Sequence, residues 1–558
     1  MSVTSIDLFS SDVPSAVEFG TVAVLLNPED NIAVAKTTLQ AGATLTRASL
    51  PTLTVAQLVP SGHKFAVREI KLGEIVRRYG WFIGYATRDI QAGEHVHVHN
   101  LGMGVELRDE AALESVGQDY DYSVDYKPVE YVPEAQRRTF MGYKRGAGLR
   151  AGTRNYIAII SSVNCSAHTV RKIAAHFTPD TLADYPNVDG VIAIAHGLGC
   201  ATRVGGDDYR LLQRVLAGMA THPNIAAYLL VGLGCEINQV GELVENHALS
   251  QKAAPGIKRV GNSTVAATSN MPITMTMQEL GGIRKTVQAG IELVEKMLPE
   301  VNAIQREPIP VSELLVALQC GGSDGWSGVT ANPVLGLACD ELVKQGGGVN
   351  LAETTEIYGA EHLLTRRAAT REIGEKLISK IHWWERHAAK HGVEINNNPS
   401  TGNKAGGLTT IYEKSLGAAA KAGNTPLMGV FDYAEPITTS GFTFMDTPGY
   451  DPVAATGQVA GGCNLLVFTT GRGSCFGFKP TPSIKVASNT PMYTRMVEDM
   501  DMNAGKVVDD APNGVPMQAA ADELFELMIA VASGQHTKSE AQNVGEDEFQ
   551  PWSLGGIL

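Results

Sequence analysis

The sequence predicts an α/β protein: a β-rich N-terminal domain followed by two α/β domains with mainly parallel sheets. Three observations predict it. Short alternating segments broken by glycines fill the early part of the chain. Beyond them, continuous apolar runs alternate with stretches of helical period, the pattern of strands buried on both faces. Finally, 558 residues are too many for one core.

Taken in order, the first domain spans 1–118. Its strand candidates are Ile32-Ala-Val-Ala35, Lys64-Phe-Ala-Val67, Glu74 to Tyr79, Trp81 to Ala86 and Glu94-His-Val-His-Val-His99, with Gly42, Gly62, Gly73, Gly84 and Gly93 as turns. His95, His97 and His99 alternate, which puts them on one face of a strand. Residues 119–140, rich in Tyr, Asp, Pro and Glu without periodicity, read as a linker. The second domain, 141–305, opens on the glycine-rich, basic approach Gly142 to Asn155. It carries the apolar runs Ile157 to Cys165, Val191 to Cys200 and Ala226 to Cys235. After a proline-bearing joint at 303–310, the third domain, 306–558, begins with Leu314 to Cys320. Further strand candidates are Gly348 to Ala352, Leu427 to Asp432 and Leu465 to Thr470. Helical stretches cover Glu361 to His391, Ser415 to Ala422 and Ala519 to Ser533, and the polar residues after Gly534 read as a loosely held tail.

Four of these runs end at a cysteine: Cys165, Cys200, Cys235 and Cys320. Loops leaving the carboxyl ends of parallel strands converge on a ligand crevice, so the four thiols are expected near one another. Thiolates from separate loops can hold an iron-sulfur cluster with one open iron; equally, small cysteines pack where strand meets helix. The 45 basic and 59 acidic residues give a net charge of -14, which offers no broad basic surface for nucleic acid. No apolar run is long enough for a membrane span, and Met1 to Gly20 lacks the features of a signal peptide, so a cytoplasmic protein is expected. In that reducing setting seven cysteines are thiols or metal ligands rather than a disulfide framework.

Several stretches carry a family resemblance: Gly62-His-Lys-Phe-Ala66, Gly93-Glu-His-Val-His-Val-His-Asn-Leu101, Gly232-Leu-Gly-Cys-Glu236 and Cys320-Gly-Gly-Ser-Asp-Gly325. To these are added Ser327 to Pro333, Asn398 to Gly407, Thr470-Gly-Arg-Gly473 and Ile484-Lys-Val-Ala487. In this order they resemble the altronate and galactarate dehydratases over nearly the whole chain. The resemblance implies an N-terminal SAF-type β domain and iron-dependent dehydration of a sugar acid to a 2-keto-3-deoxy acid. The cofactor would be Fe2+, with Mn2+ as a substitute or an iron-sulfur cluster as the alternative. A small-molecule sugar acid is the expected partner, and the chain is expected to form a homo-oligomer. The His-Val-His pair and Tyr358-Gly-Ala-Glu361 resemble altronate-type members; Thr401, and Ser474-Cys475 beside the Thr-Gly-Arg-Gly turn, depart from the family pattern. Two alternatives share the scaffold: a sulfo-lyase on a sulfolactate-like hydroxy acid, and a non-catalytic sugar-acid binding protein.

Loss of water from a hydroxy acid needs a base for the proton beside the carboxylate, an acid for the departing hydroxide, and positive charge for the carboxylate. His63, Lys64, His97 and His99 are the candidate proton carriers. Arg154, Asn155, Lys404 and Arg472, in glycine-flanked or basic loops, are the candidate substrate-binding groups. The alternative metal ligands are His97 and His99, the four cysteines, and the pair Glu353 and Glu356 that follows a strand candidate. Each has a plain structural alternative: a solvated strand face for the histidines, a helix-start acidic turn for the glutamates, and a tight turn for the basic loops. The Gly-rich loops fit neither dinucleotide nor P-loop patterns, so no nucleotide cofactor is expected.

Overall fold

The computed structural model of the protein describes residues 16–47, 50–103, 120–146, 149–249, 272–509 and 514–554. The boundary expected at 118/119 and most of the Met1 to Gly20 segment lie outside the described residues.

In the N-terminal domain, strand β1 (Ile32–Ala35) pairs antiparallel with β2 (Lys64–Ala66), and β2 pairs antiparallel with β3 (His95–Val96). Gly93 leads into β3 with φ +82°, and a Cβ there would stand 1.9 Å from the Thr54 carbonyl oxygen, so only glycine fits the turn. β3 is shorter than the alternation suggested. Asn100 stops it, accepting from the His97 amide at 2.9 Å and donating to the His95 carbonyl at 2.9 Å. His97 and His99 therefore lie in a turn, and the expectation of three histidines on one strand face is corrected.

The middle domain is a parallel sheet of β4 (Tyr156–Ser161), β5 (Gly190–Ile194), β6 (Ile225–Gly232) and β7 (Ile273–Thr276), in the order β5-β4-β6-β7. Helices α1 (Asn164–Ala174), α2 (Asp207–Ala220) and α3 (Ile283–Asn302) cover it. Ile157 and Ile159 face one core and Ala158 and Ile160 the other, which is why the run reads as uniformly apolar.

The C-terminal domain is also wholly parallel. Its strands are β8 (Leu315–Cys320), β9 (Gly348–Leu351), β10 (Leu427–Phe431), β11 (Gly441–Met445), β12 (Leu465–Thr470), β13 (Ser483–Ala487) and β14 (Met502–Asn503). They lie in the order β10-β11-β9-β8-β12-β13-β14. One face packs on α4 (Ala331–Lys344) and α8 (Met517–Ala532). The other packs on α7 (Asp451–Ala460), which meets α2 of the middle domain so closely that a Cβ at Gly218 would be 2.2 Å from the Ala460 carbonyl oxygen. Two more helices lie outside these, α5 (Arg371–His391) against β10 and α6 (Ile411–Ala420) against α4. Among the described residues no helix is long and apolar enough to cross a membrane.

Two expectations change. The joint at 303–310 is a strand, Arg306–Pro310, paired antiparallel with Thr139–Tyr143 at the end of the linker; a two-stranded ribbon tolerates its prolines because they need no inner ladder bond. The described part of the tail, 535–554, is packed, with Phe549 buried and Trp552 stacked on Trp384 at 5.4 Å. Its anchor is Glu540, whose carboxylate takes the buried Arg154 guanidinium at 2.6 and 2.9 Å. Removing one member of a buried pair strands the other, at a cost of about 3 kcal/mol. Glu540→Ala is therefore expected to shift the urea midpoint downward by that equivalent, and an unchanged midpoint would show the tail to be dispensable for stability.

Candidate active site at the sheet switch point

From β8 the chain builds β9, β10 and β11 to one side and β12 to β14 to the other, so the strand order reverses between β8 and β12. Ligand crevices of open parallel sheets form outside the carboxyl ends of strands at such a point. Here the loop Cys320-Gly-Gly-Ser-Asp324 meets Thr470-Gly-Arg-Gly473: the Gly322 carbonyl accepts from the Gly471 and Arg472 amides at 3.1 and 2.7 Å. Asp324, buried, ties both loops together by accepting from Ser327 and Ser488 hydroxyls at 2.9 and 2.8 Å and from Asn489 at 3.0 Å. A Cβ at Gly471 would collide with the Asp324 carboxyl at 2.1 Å, so the Thr-Gly-Arg-Gly turn needs its glycine.

A third loop, 398–407, lies between these two and the N-terminal domain. Its short helix Thr401–Ala405 is started by a capping box between Ser400 and Asn403. A Cβ at Gly406 would stand 3.1 Å from Arg472 Cδ, and one at Gly407 would stand 3.2 Å from His63 Cδ2, so the loop is clasped from both sides. His97 Nε2 lies 2.9 Å from the Lys404 carbonyl and His63 Nε2 lies 3.3 Å from the Ala405 carbonyl. A carbonyl can only accept, so both Nε2 atoms carry the proton and both Nδ1 atoms are lone-pair donors. His63 Nδ1 is used, facing His95 Nε2 at 3.0 Å; His97 Nδ1 has no partner among the described residues. Burial, reinforced by Lys64 and the other imidazoles, lowers His63 to about 4 and His95 to about 3, and burial lowers His97 as well. The imidazoles are thus neutral near pH 7. Beside them, Lys404 and the exposed Arg472 form no ion pair with any described residue.

Under the histidines sits a buried charge cluster. Glu413, at the start of α6, accepts from Lys64 Nζ at 2.9 Å, from Arg78, and from the Thr409 amide at 2.9 Å. Lys64 also donates to the Gly407 carbonyl at 2.5 Å and Arg78 to the Gly325 carbonyl at 2.6 Å. Burial opposes the charge on Glu413, but the two cations and these donors win and hold it at about 2.

Deeper, at the ends of β8 and β9, the ligand atoms of Cys320, Glu353 and Glu356 lie within 4.8 Å of one another. Lys421 Nζ stands 3.0 Å from Cys320 Sγ and 3.9 Å from Glu353 Oε2. Lys414 Nζ stands 2.5 Å from Glu356 Oε1 and 2.8 Å from Asn398 Oδ1. Glu353 is held with φ +69° and is 1% exposed, yet neither carboxylate oxygen has a hydrogen-bond partner. Burial and the nearby Glu356 push it well up, and burial pushes the Cys320 thiol to about 11. Lys414 and Lys421 outweigh burial at Glu356 and keep it low. Asp451, at the start of α7, lies against the Cys320-Gly321 turn, where a Cβ on Gly321 would be 2.3 Å from its Oδ2; burial and Glu356 raise it to about 7. A narrow cavity lined by Tyr79, Cys320, Asp324, Glu413 and Lys414 links this centre to the charge cluster.

Of the residues singled out from sequence, the structure brings together His63, Lys64, His97, Lys404 and Arg472, and separately Cys320, Glu353 and Glu356. Others are corrected. Arg154 and Asn155 stand at the amino end of β4; the Arg154 guanidinium is consumed by Glu540 and the carbonyls of Thr153, Val531 and Gln535, and Asn155 Nδ2 by those of Asn187 and Val301. Neither has a donor left for a substrate. Lys64 spends its ammonium on Glu413 and Gly407, which makes it a positioning residue rather than a proton carrier. His99 is exposed in the turn, with its ring 5.6 Å from that of His95. The four cysteines do not share a crevice: Cys165, Cys200 and Cys235 are exposed on the middle sheet, and Cys320 is buried on the other. Sequence reasoning missed Arg78, Glu413, Lys414, Lys421 and Asp451. Glu413 and Lys414 at the start of an alanine-rich helix, with Lys421 at its C-cap, were the available signal.

Three family models match the chain in order: the altronate/galactarate dehydratase SAF domain over 21–104, the second domain of D-galactarate dehydratase/altronate hydrolase over 142–302, and the C-terminal domain of D-galactarate/altronate dehydratase over 311–557. The chain is 35% identical to an altronate dehydratase of Bacillus subtilis, covering 94% of this chain and 97% of that one. It is 34% identical to an altronate dehydratase of Escherichia coli, covering 93% and 96%, and 33% identical to the galactarate dehydratase (L-threo-forming) of the same organism, covering 87% and 88%.

The neutral histidines make stability pH-dependent. Their folded values of about 4 and about 3 lie below the ordinary 6.5, so the unfolded chain takes up protons first as pH falls. Their contribution is complete above pH 6.5 and is lost as pH falls toward those folded values. The thermal midpoint is expected to drop between about pH 7 and about pH 5. A His63→Gln/His95→Gln variant should show a shallower drop; an equal slope would mean that the pair does not titrate this way.

Proposed function

The chain belongs to the altronate/galactarate dehydratase family and is a hydro-lyase of sugar acids, and from that premise we propose that it dehydrates an altronate-type hexonate or hexarate to a 2-keto-3-deoxy acid. One observation carries the proposal. Two uncommitted cations, Lys404 within the loop whose backbone carbonyls orient two neutral imidazoles and Arg472 against it, face the same crevice. A cation for the carboxylate and a base for the proton are what removal of a proton beside a carboxylate requires.

In this mechanism Arg472 and Lys404 bind the substrate carboxylate, the arginine through its two-pronged fork. Their charge stabilises the negative charge that develops when the adjacent C–H proton leaves. His97 is the base: the Lys404 carbonyl fixes its tautomer, leaving Nδ1 as the free lone pair. Asp451, against the Cys320 turn, gives its own proton to the departing hydroxyl, which leaves as water; His97 then releases the proton it took to solvent and Asp451 takes one up, which restores both groups. The resulting enol rearranges to the 2-keto acid without further help.

The cofactor is iron as Fe2+, with Mn2+ as a substitute. Cys320, Glu353 and Glu356 fit such an ion, since a thiol and two carboxylates are suitable donors and the Glu353 oxygens are buried without a partner. When bound, it supplies positive charge toward the carboxylate and hydroxyl oxygens of the substrate.

Incubation of the purified protein with a panel of hexonates, hexarates and sulfolactate should yield a 2-keto-3-deoxy acid from a sugar acid; product from sulfolactate alone would favour a sulfo-lyase instead. His97→Gln should lower kcat by about 100-fold or more, the usual weight of a general base. Arg472→Ala should raise KM by roughly 10- to 100-fold, the value of a charged hydrogen-bonding pair. Unchanged constants in either variant would remove that residue from the mechanism.

A further inference from the structure

Three thiols of the middle sheet, Cys165, Cys200 and Cys235, form a group of their own. Strand β4 lies between β5 and β6, and Ile160, Ile194 and Leu230 form one rung across the three strands. Cys165 follows that rung by five residues, Cys200 by six and Cys235 by five. Neighbouring strands are only about 4.8 Å apart, so three cysteines leave one sheet edge at one level.

Their loops are tied to one another. The Asn164 amide donates to the Leu198 carbonyl at 2.8 Å, the Asn238 amide to the Gly199 carbonyl at 3.1 Å, and Asn238 Nδ2 to the Ser162 carbonyl at 2.8 Å. The loop of Cys200 lies on that of Cys165 so closely that a Cβ at Gly199, φ +102°, would stand 2.5 Å from the Ser162 oxygen. Glu236, buried beside Cys235, accepts from Ser162 Oγ at 2.9 Å and from the Leu233 and Gly234 amides at 3.1 and 2.6 Å. A network of this kind fixes loop backbones. Its cost is unexplained by packing of the cysteines, because all three side chains are exposed. Cys320, Cys339 and Cys463, by contrast, are buried, as packing cysteines are.

From this we infer that Cys165, Cys200 and Cys235 hold an iron-sulfur cluster, with Cys320 excluded. Three thiolates leave one iron of a four-iron cluster without a protein ligand, open to an oxygen of a hydroxy acid. A cluster spreads its thiolates over several irons and spaces them more widely than the donors of a single ion. That distinguishes this set from the tight group of Cys320, Glu353 and Glu356. Binding here is ligation without electron transfer. Only the class of the open iron's ligand, a hydroxy acid, rests on the function proposed above; it would be a second molecule, bound apart from the one at Arg472 and Lys404.

The test is anaerobic reconstitution of the full chain with sulfide and equal amounts of ferrous and ferric iron, the ratio of the two in an oxidised four-iron cluster. About five irons, four in the cluster and one at Cys320, Glu353 and Glu356, and about four acid-labile sulfides per chain are expected, with broad visible absorption from thiolate-to-iron charge transfer. Cys165→Ser, Cys200→Ser and Cys235→Ser should each lose most of the sulfide while keeping the far-ultraviolet circular dichroism of the parent. Cys320→Ser should keep it all. Iron bound without sulfide, sulfide retained in all three variants, or sulfide lost in Cys320→Ser would each overturn the inference. Cluster assembly is read from metal, sulfide and spectrum, so a loaded protein that turns over no sugar acid would defeat the proposed function and leave the cluster standing. In the reduced, loaded protein, a sugar acid should change the electron paramagnetic resonance signal, and an unchanged signal would show that the open iron takes no such ligand.

Discussion

The switch-point site depends on one buried carboxylate. Glu413 belongs to the C-terminal domain, while Lys64 and Arg78, which it holds, belong to the N-terminal one. Burying three charges is costly, and the cost is offset only when each finds its partners. They do: Lys64 reaches the Gly407 carbonyl, Arg78 the Gly325 carbonyl, and Glu413 the Thr409 amide and hydroxyl. Those partners lie in the two loops that border the crevice. The ion cluster therefore sets where His63, adjacent to Lys64, meets the loop that carries Lys404. Removing one member would leave an uncompensated charge and release the register of both loops together.

Over that base, the fold supplies what isolated motifs do not. Parallel strands ending at one edge bring together loops more than a hundred residues apart, such as those of Cys320 and Arg472. Glycine permits their close approach, at Gly471 against Asp324 and at Gly407 against His63. The histidines are kept neutral by burial, to which Lys64 and the neighbouring imidazoles add. An imidazole held by a backbone carbonyl keeps one defined tautomer, so the lone pair of His97 has a fixed direction.

Legibility in the sequence followed the range of the interaction. Apolar runs such as Ile157 to Ile160 and Leu315 to Leu318 are buried on both faces, and their composition alone identifies the parallel sheets. The glycine-flanked Lys404 and Arg472 stood out because a cation in a tight turn is a local feature. Arg154 had the same local appearance but a different fate, since its partner Glu540 is 386 residues away and invisible to any window. The proline joint failed for a related reason: Arg306–Pro310 is a strand only because Thr139–Tyr143 returns beside it. The cysteine pattern was legible as strand ends, but periodicity does not say which sheet a strand joins, and so Cys320 was grouped with three thiols of another sheet.

The charges at the ends of β8 and β9 carry the last step. Three carboxyls, Glu353, Glu356 and Asp451, and the Cys320 thiol face two ammonium groups, Lys414 and Lys421. Like charges in a poorly solvated space cannot all ionise, so the two lysines keep one carboxylate, Glu356, and the others rise. Glu353 then has neither a cation in hydrogen-bonding range nor a donor, although its backbone is held in a left-handed conformation that a non-glycine residue adopts at a cost. A divalent ion would reverse this balance, because ligation requires the deprotonated forms and would release protons as it bound.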